Sequence, residues 1–313
     1  MAMMKGLCRA DEVFRLAALP PAPLIFGDYR VTILPVGHFA LDGGAMFGVV
    51  PKTLWSKRVA ADEQNRIRLA QNCLLIEYGD QKLLLDSGVG GKFDEKYTAL
   101  YAVEPSGGIV EALKRVNLTP EAIDTVMLTH LHFDHSGGLS AVDASGVVVP
   151  TFERARHLIH QGEWAHAHAP NLRDKASYLP QNLDPLRDLP GLELLSGDKN
   201  EVLPGLWLIR TGGHTSDHQI LVLDTPQGGL IYWADIIPTR HHLGVPWVMG
   251  YDLYPVETMA VKVHWLKEAH DKGWFNVFEH DPDRAMAKLR LNEARQTYEW
   301  VEQTGELAET IEA

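Results

Sequence analysis

Three histidines and an aspartate fall within six residues, His130-x-His132-x-Asp134-His135, inside Leu128-Thr-His-Leu-His-Phe-Asp-His-Ser-Gly-Gly138. Imidazole and carboxylate without thiolate form a donor set for zinc, and also for manganese, iron or cobalt. The segment follows IDTVMLTH, an apolar run that reads as a buried strand. Residues two apart on extended backbone point the same way, so His130 and His132 can meet one cation. Asp134 and His135 are adjacent, diverge from that pair, and suit a second cation. Gly137 and Gly138 let the chain turn sharply out of the site. Four ligands do not fill two metals, and three further candidates end apolar runs. His214 lies in Thr211-Gly-Gly-His-Thr-Ser-Asp-His218, Asp235 ends GLIYWAD and His280 ends WFNVFEH. Each taken singly reads as a surface or structural polar residue. Behind the first cluster, the three together read as ligands delivered by strand ends to the rim of a sheet.

The surrounding texture says which elements would hold them. Residues 1–28 read as an N-terminal arm, with a turn or two of helix over 11–18 and an extended stretch at Pro20, Pro21 and Pro23. RVTILPVGHF alternates like a strand and LDGGAMFG reads as a glycine-rich loop. QNCLLIEYG and KLLLDSG flank Gly79-Asp80, which predicts a tight hairpin. GGIVEALKRV carries apolar residues at helical spacing. Residues 160–190 are polar and His-rich, and predict a helical insertion or a lid. GLWLIRT, QILVLDT and GLIYWAD are short strands. VETMAVKVHWLKEAHDKG predicts a helix ending at Gly273, WFNVFEH a strand, and residues 283–303 a closing helix. Strands in runs with occasional helices predict an α+β domain over 29–313, with sheets packed together and helices outside.

Composition narrows the partners. The 313 residues are 45% hydrophobic and 22% charged, enough for a sizeable core. Lys and Arg number 29 against 41 Asp and Glu, a net charge of −12. That surface repels a phosphate backbone, so no nucleic-acid partner is expected. Only Cys8 and Cys73 are present, which excludes a disulfide framework and fits a reducing cytoplasm. No apolar run approaches the roughly 18 residues of a membrane span, so no membrane association is expected.

THLHFDHSGG, GGHTSDH and the strand-end Asp235 and His280 together resemble the metallo-β-lactamase-fold hydrolase superfamily, over about residues 30 to 285. The resemblance implies a four-layer αββα sandwich with the site on its edge. It implies one metal on His130, His132 and His214, a second on Asp134, His135 and His280, and Asp235 bridging. The bridging carboxylate speaks against a true β-lactamase. Leu41-Asp-Gly-Gly-Ala-Met-Phe-Gly-Val-Val-Pro-Lys-Thr-Leu-Trp55 and Ala234-Asp-Ile-Ile-Pro-Thr-Arg-His-His-Leu243 are similar to bacterial quorum-quenching lactonase-like enzymes of the YtnP type, as are Trp247-Val-Met-Gly-Tyr-Asp252 and residues 168–178. The better-known acyl-homoserine lactonases carry a tyrosine three residues after the bridging aspartate. Pro238 stands there in this chain.

The chemistry this implies is hydrolysis by a water ionised between two divalent cations, zinc first, on a lactone or another small carboxylic ester. Asp134 and Asp235 are the carboxylates at the reacting centre, and Asp235 could return a proton to the leaving group. Asp86 is the expected hydrogen-bond partner that fixes a ligand tautomer. Met46, Phe47 and Trp247 are candidates for the pocket wall, and His242 for a substrate contact. The same ligands would also serve a phosphotriester or phosphodiester hydrolase, a glyoxalase-II-like thioesterase, or a metal-bearing sensor without turnover. The arm is long enough to reach across a homodimer.

Overall fold

The computed structural model describes residues 22–301. In chain order, β1 (Leu24–Phe26) and β2 (Tyr29–Asp42) pair antiparallel, followed by the short helices α1 (Gly43–Phe47) and α2 (Lys52–Trp55). β3 (Arg66–Tyr78) and β4 (Gln81–Leu85) form the expected hairpin around Gly79-Asp80. α3 (Glu95–Leu100) and α4 (Gly108–Lys114) lead to β5 (Thr125–Met127), with α5 (Phe133–Ser136) just beyond it. A small hairpin of β6 (Ser140–Val142) and β7 (Val148–Pro150) precedes β8 (Arg156–His160). α6 (Gln161–His168) and α7 (Pro180–Leu183) occupy the stretch before β9 (Leu192–Leu195). β10 (Lys199–Leu203), β11 (Leu206–Arg210), β12 (Gln219–Thr225) and β13 (Gly228–Tyr232) are sequential antiparallel strands. α8 (Pro255–Asp271) crosses to β14 (Phe275–Val277), and β15 (Met286–Asn292) and β16 (Thr297–Val301) close the described chain.

These strands make two seven-stranded sheets, β1-β2-β3-β4-β5-β8-β9 and β10-β11-β12-β13-β14-β15-β16. Alternation along each strand explains why they stack. Leu74, Ile76, Leu83 and Leu85 of the first sheet meet Leu221, Leu223, Leu230 and Tyr232 of the second in one buried cluster. The residues between them point the other way. Leu75 and Leu84 pack on Ile109 and Leu113 of α4, while Ile220, Val222 and Ile231 pack on Leu266 and Ala269 of α8. Both faces of both sheets are therefore apolar, and helix–sheet–sheet–helix is the arrangement that buries all four. Each fully buried Leu or Ile contributes about 1.5–3 kcal/mol of burial. The fold is the expected α+β sandwich in four layers, helix–sheet–sheet–helix.

Strand direction sets the rim. β4, β5 and β8 run parallel, as do β13 and β14, and β11 shares the direction of β13 with β12 between them. The carboxyl ends of β4, β5, β11, β13 and β14 therefore open onto one edge, where Asp86, His130, His214, Asp235 and His280 follow.

Two local expectations are corrected. The helix expected over 283–303 does not form in its described part, 283–301; β15 and β16 pair there as an antiparallel hairpin. Met286–Asn292 alternates, which lets Ala287 and Leu289 pack on the second sheet's outer cluster, and Gln296 turns the chain at φ 52°. LDGGAMFG is not a loop throughout: Gly43–Phe47 is a helical turn whose Ala45 amide donates to Asp42 Oδ1 at 2.8 Å. Gly43 is required there, because a Cβ would lie 2.5 Å from the Trp55 ring. The helix expected over 11–18 lies outside the described residues, and of the expected arm Leu24–Phe26 joins the first sheet. Among the described residues, no helix is long and apolar enough to cross a membrane.

Candidate metal centre

The rim gathers seven ligand-type residues into two adjoining groups. His130, His132, His214 and Asp235 form one, and Asp134, His135 and His280 the other, with candidate ligand atoms of each group within 4.8 Å of one another. All seven are buried. In the first group His214 Nε2 lies 3.0 Å from His132 Nδ1. In the second His280 Nε2 lies 3.3 Å from His135 Nε2. Asp235 stands between them: Oδ2 is 3.0 Å from His214 Nε2, and Oδ1 is 3.1 Å from His280 Nε2. The two oxygens of one carboxylate thus face the two groups separately.

The outer nitrogens of three of these rings, His214, His280 and His135, lie against acceptors. His214 Nδ1 donates to Asp252 Oδ1 at 2.9 Å, and His280 Nδ1 to the Ala70 carbonyl at 2.8 Å. His135 Nδ1 lies 3.2 Å from Asp86 Oδ2 and 3.0 Å from Glu279 Oε2. With Nδ1 carrying the proton, a neutral ring must present its Nε2 lone pair to the centre. Lone pairs so close repel unless a positive charge lies between them. His130 Nε2 and Asp235 Oδ1 are likewise buried with no hydrogen-bond partner among the described residues. Orphaned buried acceptors aimed at one point are what a cation would satisfy. The residues present therefore fit divalent metal.

Electrostatics divides the set. Burial holds His130 and His132 well below the usual imidazole range, in the neutral form that ligates. Burial opposes charge on Asp235, His135, His214 and His280 too, but the carboxylate and these three imidazoles hold one another charged, Asp235 well below its ordinary range and His280 up to about 9. A cation among them would take over the role of the protons and leave the rings neutral. Burial pushes Glu279 up to about 7, against the pull of His135 and with the help of Asp86.

The backbone around the site is held in place. Asp86 and Ala234, which precedes Asp235, take left-handed conformations at φ 57° and 43°. Such non-glycine conformations cost about 1–3 kcal/mol each and persist only where neighbours fix them. Asp86 accepts the Thr129 amide at 2.9 Å and the Thr129 hydroxyl at 2.8 Å. The Asp235 amide donates to His218 Nε2 at 3.3 Å. The carbonyl of Pro238 accepts the His280 amide at 2.9 Å.

The sequence matches the metallo-beta-lactamase superfamily over residues 66–295. The chain belongs to that superfamily. Within it, an N-acyl homoserine lactonase of Bacillus cereus is 28% identical over 178 residues, covering 53% of this chain and 63% of the relative. Another from a Bacillus species is 30% identical over 171 residues, covering 50% and 59%. The match thus spans about three-fifths of these curated relatives. Among solved structures, a probable metal-dependent hydrolase from Staphylococcus aureus superposes with a TM-score of 0.80 at 33% identity, covering 90% of this chain and 100% of that one. The dizinc quorum-quenching lactonase AidC superposes with a TM-score of 0.73 at 19% identity, covering 92% and 99%.

A cavity of about 170 Å³ opens over His132, Asp134, His214, Asp235 and His280, lined among others by Met46, Tyr101, Phe133, Arg173, Met249 and Tyr251. Met46 reaches it. Phe47 and His242 are fully buried behind that wall and stack on each other at 4.6 Å. Both ring nitrogens of His242 are engaged, with Thr239 Oγ1 and the Met46 carbonyl each at 2.8 Å. Trp247 lines a separate cavity of about 910 Å³ with Arg240, His241 and Trp300. That larger cavity holds none of the ligand residues.

Three residues at the centre escaped the sequence reading: Asp252, Glu279 and Glu163. Glu279 carried a cue, since it adjoins His280 at a strand end. Glu163 lies in the stretch expected to be a helical insertion or lid, and Asp252 ends a stretch noted only for its resemblance to lactonase-like enzymes. Their burial is decided by what packs against them.

Proposed function

We propose that this chain is a dinuclear metal-dependent hydrolase of lactones or other small carboxylic esters, with zinc as the metal. The observation that carries the reading is Asp235, whose two oxygens lie 3.0 and 3.1 Å from imidazoles of separate groups. His130, His132 and His214 would hold one cation, and Asp134, His135 and His280 the other. Bound together, two such cations supply a water ionised near neutral pH and a Lewis acid for the carbonyl. Asp86, Asp252 and the Ala70 carbonyl fix the imidazole tautomers. Asp235 orients both groups and can return a proton to the leaving alkoxide. Pro238 has no donor, so the oxygen of the tetrahedral species must find one elsewhere. Tyr101 and Tyr251 line the cavity, and burial, then neighbouring charge including Asp134, pushes both hydroxyls up. They stay protonated and are the donors in this reading.

The named activity of the Bacillus relatives puts lactones first. The small cavity suits a lactone ring or the head of a short ester. Cys73 is buried and free, in keeping with a cytoplasmic enzyme. The test is metal analysis coupled to a panel of lactones, esters, thioesters and phosphotriesters. About two zinc per chain, with lactone turnover lost to chelation and restored by zinc, supports the reading. Preferred turnover of phosphotriesters or thioesters, or none at all with two metals bound, overturns it. An Asp235→Asn variant that keeps both cations and full turnover would remove the proton role.

A further inference from the structure

Glu163 is 1% exposed, in the first turn of α6, and it does not line the cavity over the ligands. Its Oε1 accepts the Leu131 amide at 3.0 Å and the Tyr178 hydroxyl at 2.9 Å. Its Oε2 accepts the Thr215 hydroxyl at 2.6 Å. Leu131 lies between His130 and His132, and Thr215 follows His214. One carboxylate therefore joins the two loops that carry the three histidines of the first group. Tyr178 adds a second contact, its ring edge-on to His132 at 4.9 Å between centroids.

A neighbouring close approach points the same way. A Cβ on Gly162 would lie 2.4 Å from the Asp217 carboxyl, so the start of α6 is pressed against the 214–218 loop. Burying a carboxylate costs several kcal/mol unless its lone pairs are met. Here three donors meet them, and two of the three lie beside ligand histidines. Glu163 does not touch the braces of the second group, which are Asp86 on His135 and the Ala70 carbonyl on His280; Asp86 also holds Thr129 beside His130.

We propose that Glu163 is a positioning residue that clamps the 130–132 and 214–215 loops, so that His130, His132 and His214 form one preorganised cation site whose affinity depends on it, while the site of Asp134, His135 and His280 does not. This rests on the two-cation reading above. It also gives the segment from 161 to 178 a structural duty toward the metal centre.

The experiment is release of zinc from the full chain into increasing dipicolinate, with far-UV circular dichroism as the check on folding. Wild type, Glu163→Ala, Glu163→Gln and His214→Ala are compared. Outer partners of metal ligands are worth about 10–100-fold in metal affinity. Glu163→Ala should release one cation at about 10–100-fold lower chelator and the second as wild type does. Glu163→Gln keeps an acceptor oxygen for Leu131 and Tyr178 and should recover most of the loss. Combined with His214→Ala, Glu163→Ala should add little, because both act on one site. Thr215→Val removes a single leg of the clamp without a cavity, and should shift the same cation should Glu163→Ala not fold. Release of both cations in step with wild type overturns the clamp alone, as does equal weakening of both. Wild-type protein holding fewer than two cations overturns the two-cation reading, and the clamp with it.

Discussion

His214 and Asp252 share a 2.9 Å hydrogen bond in which the imidazole Nδ1 donates and the carboxylate accepts. Asp252 also draws the Met249 amide at 3.3 Å, and its own carbonyl accepts from Arg173. The ring that faces the centre is thus oriented by a loop 38 residues downstream. Asp252→Ala should lower zinc affinity about 10–100-fold and turnover with it, the fold being kept. Chelator titration with circular dichroism checks this, and unchanged zinc retention would remove the role.

Tyr101 and Tyr251 supply a second prediction. Loss of an oxyanion donor lowers kcat by about 10²–10³-fold. The paired Tyr101→Phe, Tyr251→Phe variant should lose kcat on a lactone at that scale, with KM little changed and both zinc ions retained. Steady-state kinetics would show it. A change confined to KM would make the tyrosines a binding wall only.

His157 predicts an acid-sensitive fold. Its Nδ1 donates to the Ala155 carbonyl at 3.1 Å, while Nε2 is buried without a hydrogen-bond partner among the described residues. Burial therefore pulls it down to about 4. The unfolded chain binds that proton near pH 6.5, so its stabilisation is full above 6.5 and is lost as pH falls towards 4. The shift is worth about 3 kcal/mol. Urea unfolding of wild type and His157→Gln at pH 7.5 and pH 5 should show the variant losing less stability on acidification. Equal losses would clear His157 of the effect.

Lys262 is fully buried on α8, and its ammonium donates to the carbonyls of His242, Gly244 and Trp247 at 2.6, 2.8 and 2.9 Å. It pins the loop behind the Met46 wall to the helix layer. Lys262→Met keeps the stem but strands three acceptors, at about 1–3 kcal/mol for each one left unmet. The midpoint of thermal unfolding should fall accordingly. A variant as stable as wild type would mean that water replaces the ammonium.

The cluster of candidate ligands was legible in sequence because its geometry is local. His130, His132, Asp134 and His135 are ordered by strand and turn geometry within a few residues, and that geometry needs no partner. The strand-end placement of His214, Asp235 and His280 was legible for a related reason: a short apolar run predicts a buried strand, and a polar residue at its end predicts a rim. The hairpin at Gly79-Asp80 and the helix ending at Gly273 follow from turn chemistry in the same way.

What tertiary structure alone decided is which acids are buried and what they face. Asp252, Glu163 and Glu279 are ordinary acidic residues until loops from other elements close over them, and only then do their lone pairs take on ligand nitrogens and ligand-loop amides. The same holds for Met286–Asn292, where an outer sheet edge recruited as β15 a stretch that reads as helix. His242 and Phe47 were placed behind the wall rather than on it because they stack on each other, an outcome fixed by packing between segments almost 200 residues apart. Residue types and short spacings set the chemistry the chain can do. Long-range burial set which side chains hold that chemistry in position, because desolvation and hydrogen-bond satisfaction belong to neighbours in space rather than in sequence.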